Sequence, residues 1–271
     1  MVAFISFIFW TIIGSFLSVL IWRLKNKEWW ILFGRSKCPK CNHILGVLDL
    51  FPIFSYIFLK WKCRYCGYKI SLIYPFLELV TWLVFVFISY ILLGSLDLNL
   101  FFNNIGYVLY WWLIGALFVA LAFYDILFYE INFCLAWLLA MLLIIPQFLW
   151  IVWNFKLALI LAFVWFVLFI LISYIRLKVR KIEWMWGWDA LWAWLLGLLM
   201  PVLADVLNFH YPIWLQFYVL LLLGFFVWWV VWLGYILLWK STKFSLPFLP
   251  FMFLAIIFFA FWGEKILSFI Y

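Results

Sequence analysis

The sequence predicts an all-α polytopic membrane protein of about eight transmembrane helices with a small cytoplasmic four-cysteine zinc-binding loop. Three observations predict it. Of 271 residues, 72% are hydrophobic and 10% charged, and a mean hydropathy of +1.25 exceeds what a domain with a wetted surface carries. The apolar residues come in runs of roughly 18 to 25, enough for a spanning helix and unlike the short alternating strands of a membrane barrel. Four of the five cysteines form two Cys-x-x-Cys pairs within one polar interval.

Spans are expected at 3–23, 76–96, 105–124, 133–153, 157–175, 189–207, 213–238 and 246–266. The chain then divides into a first transmembrane helix (1–24), a zinc-binding loop (25–75) and a seven-helix membrane core (76–271). Basic residues fix the orientation. Of the 18 Lys and Arg, 16 fall in three intervals on one side: ten from Arg23 to Lys69, four from Arg176 to Lys181, and Lys240 with Lys243. By the positive-inside rule that side is the cytoplasm, and the amino terminus lies outside. The net charge of +8 therefore reads as membrane topology, with the lipid bilayer as partner and no nucleic acid. The first apolar run has no basic residue before it and no small-residue cleavage site after it, so it reads as a retained helix.

Cys38-Pro39-Lys40-Cys41 and Cys63-Arg64-Tyr65-Cys66 are separated by 21 residues. Two such hooks can hold four thiolates around one zinc ion. The interval is too short to bury much core, and a structural metal supplies the missing folding free energy, on the order of 10 kcal/mol. A four-thiolate site has no open position, so no catalysis is expected at the metal. Cys134 reads as a small core residue and His43 as exposed. Disulfide or redox use of the four cysteines is the competing reading, disfavoured in a reducing compartment.

Ionisable groups inside spans are costly and usually functional. Glu28 and Asp49 read as solvated loop charges, and Asp97, Asp205 and Glu264 as interfacial ones. Asp125 ends the apolar run from Gly106, and Asp189 sits within Trp184-Met185-Trp186-Gly187-Trp188-Asp189-Ala190-Leu191-Trp192. The third expected span runs inward to Asp125 and the sixth begins inside at Asp189, so both carboxylates arrive at the same membrane boundary. Two acids brought together there cannot both ionise easily, so one keeps its proton. Such a pair can activate a water and protonate an amide leaving group. The bland alternative is two helix-end charges reaching water. Gly187 would let a substrate backbone approach. Glu78, expected to open the second span and favour its amino terminus, and Glu130, on the turn after Asp125, are further candidates for site support.

With these residues in place the sequence resembles the bacterial type IV prepilin peptidases, a family of membrane aspartic proteases. The resemblance begins at Ile13-Gly14-Ser15-Phe16-Leu17-Ser18-Val19-Leu20-Ile21-Trp22-Arg23, similar to the family's GSFLNVVIxRL with Ser18 in place of asparagine. It continues through the two cysteine pairs, Pro52, Ser55-Tyr56 and Tyr74-Pro75-Phe76-Leu77-Glu78, and returns at Leu246-Pro247-Phe248-Leu249-Pro250-Phe251. The family's catalytic aspartates occur in D-x5-[IL]-P-[DN] and GxGDxK patterns. Asp125 is followed at the right distance by Ile131 and then Asn132, without the proline. Around Asp189, Trp186 and Trp188 stand where glycines are usual and Leu191 where lysine is usual.

The resemblance implies cleavage, at the cytoplasmic face of the inner membrane, of leader peptides from type IV pilin-like or type II secretion pseudopilin precursors. It implies Asp125 and Asp189 as the catalytic pair. Methylation of the new amino terminus with S-adenosylmethionine is implied by analogy alone, since no glycine-rich nucleotide loop is legible. Two other readings stay open beside it: a family member that binds or assembles without turnover, and a transporter that uses buried acids for ion passage. Against the transporter stands the lack of repeated halves with matched broken helices.

Overall fold

The computed structural model describes residues 2–28, 34–94, 98–149 and 249–270, together with individual positions between 160 and 231. The described elements are helical: α1 (Val2–Lys25), a 3₁₀ turn (Val47–Asp49), α2 (Phe54–Phe58), α3 (Ile73–Leu93), α4 (Leu98–Asn103), α5 (Ile105–Phe128), α6 (Phe133–Leu149) and α7 (Leu249–Ile270). Two isolated β-bridges, Lys37 with Ile44 and Lys62 with Lys69, are the extended pairings among the described residues. The chain divides into two compact units, Met1–Phe123 and Tyr124–Tyr271.

Among the described residues three helices are long and apolar enough to cross a membrane, Phe4–Lys25, Ile73–Leu93 and Ile105–Phe128, and Phe133–Ile144 is a shorter apolar helix. The first three expected spans thus fall on α1, α3 and α5, with shifted ends, and the fourth falls on the shorter apolar α6. α3 begins at Ile73 because Pro75 is tolerated in a first turn that has no intrahelical N–H bond to lose. It stops at Gly94, which takes the left-handed conformation (φ 64°) of a helix C-terminus. The eighth expected span falls on α7, while those at 157–175, 189–207 and 213–238 lie largely outside the described residues. Asp97, Asp189 and Asp205 are also outside them. The short helices α2 and α4 were not expected from periodicity.

In the first unit α1 and α3 pack antiparallel. Phe7 and Trp10 both reach Trp82, with ring centroids 6.4 and 6.1 Å apart. Further along, a Cβ added at Gly14 would lie 3.4 Å from the Glu78 Cα. Close backbone approach at small residues is how helices associate where lipid offers no hydrophobic contrast. Gly115 instead makes room on α5 for side chains of α3, since a Cβ there would fall 2.6 Å from Ile88 Cδ1 and 3.0 Å from Val84 Cγ1.

Mid-span tryptophans form part of this core. Trp112 is buried, stacks on Phe85 at 4.9 Å, and donates its indole N–H to the Phe85 carbonyl and the Ser89 hydroxyl. Phe9 of α1 packs on the same indole at 5.4 Å. Each such aromatic pair adds roughly 0.5–1.5 kcal/mol beyond area burial, and the satisfied N–H lets a polar atom sit deep in an apolar bundle. Among the three candidate spans α5 is the most enclosed, with every residue from Ile114 to Tyr124 buried.

Candidate metal centre and candidate carboxylates

The four cysteines come together through two hairpins of the same design. In the first, the Cys38 N–H donates to the His43 carbonyl, Asn42 N–H to Cys38 O, and Leu45 N–H to Ser36 O. In the second, Cys63 N–H donates to Tyr68 O, Gly67 N–H to Cys63 O, and Ile70 N–H to Trp61 O. Every partner in one hairpin has its counterpart 25 residues on. Each tip requires a left-handed residue, Asn42 at φ 56° and Gly67 at φ 68°, types that adopt it at low cost.

The four sulfurs lie within 4.8 Å of one another, and Cys38 Sγ is 3.8 Å from Cys66 Sγ. A Zn–S distance of about 2.3 Å in a tetrahedron gives an edge of about 3.8 Å, so the arrangement fits a four-thiolate divalent metal. Cys38 and Cys63 are buried, whereas Cys41 and Cys66 are exposed. Burial pushes the Cys38 thiol up, but the backbone N–H groups of Cys41 and Lys40 and the neighbouring thiols of Cys41 and Cys63 outweigh it, bringing it down to about 7. For Cys66 the Tyr68 backbone N–H favours the thiolate, yet burial and the surrounding sulfurs raise it to about 12. The sulfurs thus share protons that a metal would displace.

Side chains join the two hairpins. His43 is exposed, as expected, and stacks on Tyr65 with centroids 3.6 Å apart. Asp49 departs from its reading as a solvated charge. Its side chain is 5% exposed and meets Arg64 Nε at 2.9 Å. It also accepts hydrogen bonds from the Tyr65 hydroxyl and the Gly46 N–H, both at 3.1 Å. The hydrogen bond to Asp49 raises the Tyr65 phenol above its ordinary value. Sequence reasoning missed this carboxylate because its side-chain partners, Arg64 and Tyr65, lie 15 and 16 positions away.

Glu78 is also placed differently from expectation. It is the sixth residue of α3, buried, and its carboxylate accepts the Ile53 N–H at 2.9 Å instead of serving its own helix terminus. Ile53 has φ 58°, a strained conformation for a β-branched residue. The carboxylate therefore fixes the entry to α2 from a neighbouring helix.

Asp125 is half-buried, three residues before the end of α5, and its carbonyl accepts the Tyr129 N–H at 2.8 Å. Glu130 is exposed on the following turn. Cys134 is exposed instead of a core residue. Asn132 supplies what the sequence did not reveal. Its side-chain oxygen accepts the Leu135 N–H at 3.2 Å, an N-cap for α6, while Ile131 is buried. Asp189 and Gly187 lie outside the described residues.

Residues 8–92 match the family model described as "Bacterial Peptidase A24 N-terminal domain". That stretch holds all four paired cysteines, Arg23, Asp49 and Glu78, and ends before Asp125. A "Prepilin leader peptidase/N-methyltransferase" of Myxococcus xanthus is 42% identical over 73 residues, 27% of this chain and 22% of that protein. One of the same name from Bacillus subtilis is 44% identical over 77 residues, 28% and 31% of the two chains. A "Type 4 prepilin-like proteins leader peptide-processing enzyme" of Escherichia coli is 36% identical over 95 residues, 29% and 35%. The chain thus spans about a fifth to a third of the length of these relatives. No solved structure matches. The resemblance read from the sequence is borne out over this amino-terminal stretch.

Proposed function

Because residues 8–92 carry the amino-terminal domain of the bacterial A24 peptidases, we propose that the chain is a membrane endopeptidase of the aspartic type. It removes the leader peptide from type IV prepilin-like or pseudopilin precursors at the cytoplasmic membrane face. The match of that domain, together with relatives named for prepilin processing, is the observation that carries the reading.

In this proposal Asp125 and Asp189 form the catalytic pair. One carboxylate takes a proton from water as the oxygen attacks the scissile carbonyl, and the other, protonated, gives its proton to the leaving amide nitrogen. Supporting this, Asp125 follows the fully buried stretch of α5 and stands where the helix passes to partial exposure, within reach of a peptide outside the bundle. The Asn132 cap fixes the start of α6 seven residues on, so the turn that carries Glu130 is held at both ends. Gly187 beside Asp189 gives a substrate backbone room.

Zinc, held by Cys38, Cys41, Cys63 and Cys66, would fold the amino-terminal module and leave no coordination position for substrate. The names of the relatives also support N-methylation of the new amino terminus, for which S-adenosylmethionine would supply the methyl group. The expected partners are the precursor's apolar amino-terminal helix and the bilayer.

The test is co-expression with prepilins and pseudopilins, scored by loss of leader mass, for the parent, Asp125→Asn and Asp189→Asn at matched membrane levels. Cleavage by the parent and none by either variant is the expected outcome. Undiminished cleavage by both variants would remove the dyad. Failure of the parent across several precursors would favour a binding or assembly role.

A further inference from the structure

The segment between the two cysteine hairpins does not behave as an aqueous loop. We infer that residues 50–59 form a re-entrant membrane segment that enters the hydrocarbon layer beside α1 and α3, turns back as α2, and presents Phe54, Ile57 and Phe58 to lipid acyl chains.

Depth is the first ground. α1 is a candidate span ending at Lys25. At about 1.5 Å per residue, Gly14 stands about 16 Å and Phe7 about 27 Å from that charged end. Phe54 meets Phe7, ring to ring at 6.3 Å. Its neighbour Ile53 donates its N–H to Glu78, whose backbone lies against Gly14. The contact at Glu78, level with Gly14, places the start of α2 about halfway into a hydrocarbon layer about 30 Å thick, and from there the Phe54 ring extends along α1 towards Phe7.

Hydrogen bonding is the second ground, because backbone donors in hydrocarbon must find partners within the protein. Pro52 has no N–H. The N–H of Ile53 goes to Glu78, and those of Phe54, Ser55, Ile57, Leu59 and Lys60 go to carbonyls between Phe51 and Ile57. The Tyr56 hydroxyl reaches back to the Ile70 carbonyl, on the polar side of α3. A carboxylate from α3 that satisfies the donor at a strained turn is what a buried reversal requires and a water-exposed loop does not.

The exposed surface is the third ground. α2 buries none of its residues, and Phe58 is 80% and Ile57 59% exposed. In water this would be an apolar patch with nothing on it; beside α1, whose Ile12 is 67% exposed, it continues a lipid-facing surface. Both ends of the segment are polar. Asp49 is tied to Arg64 and Tyr65 of the second hairpin. On the return, Lys60 and Trp61 take left-handed φ values of 50° and 64°, reversing the chain with a cation and an indole where the headgroups lie.

The inference is tested in the full chain, metal-loaded and reconstituted in liposomes. p-Azidophenylalanine replaces Phe54, Phe58 or, as an aqueous control, Tyr65, and carries a cyclooctyne nitroxide. Collision with oxygen and with a nickel chelate is then read by paramagnetic resonance. Oxygen should dominate several-fold at positions 54 and 58, and the nickel chelate at 65. Nickel access at 54 and 58 equal to that at 65 would overturn the inference in favour of an aqueous loop. Low access to both agents at 54 and 58 would overturn it in favour of a surface covered by protein. Metal content of each labelled protein reports a preserved fold, and Ile57 takes the label if the Phe58 variant loses its metal.

Discussion

At the residue scale the decisive groups are polar atoms held by distant partners. Glu78→Ala should destabilise the protein by roughly 1 kcal/mol, since it removes the acceptor of the part-buried Ile53 N–H, and Glu78→Gln should cost clearly less because an amide oxygen still accepts. Thermal unfolding in detergent distinguishes the two. Asn132→Ala, which removes the α6 cap, should cost about 1 kcal/mol by the same assay. The cysteine spacing was legible because both donors of each hook are adjacent in the chain. Asp49 and Glu78 were misread for the opposite reason: their partners, Arg64 and Ile53, are set by tertiary packing, and a lone acid near a span looks the same whether it faces water or a backbone donor. Cys134 was misread because an apolar run does not say which of its faces is covered.

At the scale of elements, hydropathy located α1, α3, α5 and α6 to within a few residues, since a long apolar run has few alternatives in a membrane chain. It missed α2, whose five residues are too few for any period and whose ends are fixed by strained backbone and a carboxylate from elsewhere. Packing between elements gives a sharper test. Gly115→Leu should drive α5 away from Val84 and Ile88 and cost several kcal/mol, on the order of an overpacked core, seen as loss of folded protein on extraction. In the hairpins, Gly67→Ala meets no neighbour within 4 Å, so its cost is conformational, about 1–2 kcal/mol. Faster metal release to a chelator is the expected readout, with Asn42→Gly near neutral.

At the scale of the whole molecule, the metal module and the membrane helices fail in different ways. Replacing Cys38 or Cys63 by Ser should abolish bound metal, measured by elemental analysis, and lower stability without touching the proposed aspartates. The pH dependence has a defined sign. Without metal, Cys38 ionises at about 7, below the ordinary thiol value of 9.0, so its stabilising contribution is present above pH 9 and lost as pH falls through 7. Cys66, raised to about 12, contributes below pH 9 and loses that contribution as pH rises towards 12. The metal-free module should therefore be most stable near pH 9. Metal binding displaces protons, so retention should fall steadily as pH is lowered below 7, measured by equilibrium dialysis. The proposed pairing of Asp125 with Asp189 rests on motif and span parity, because two acids 64 residues apart carry no contact information in sequence.

The 25-residue repeat of the cysteine hairpins also bears on how the module assembles. Each hairpin closes on itself within about ten residues, on the roughly 1–10 μs scale of hairpin formation, and needs nothing from the other for its backbone hydrogen bonds. Two bidentate claws are thus ready before they meet. The first emerges from synthesis ahead of the second, so a metal captured early is held by half its donors until residues 50–59 have turned back. Ion loading and seating of that turn then become one event, and a chain that fails to seat the turn retains a loosely held, exchangeable ion.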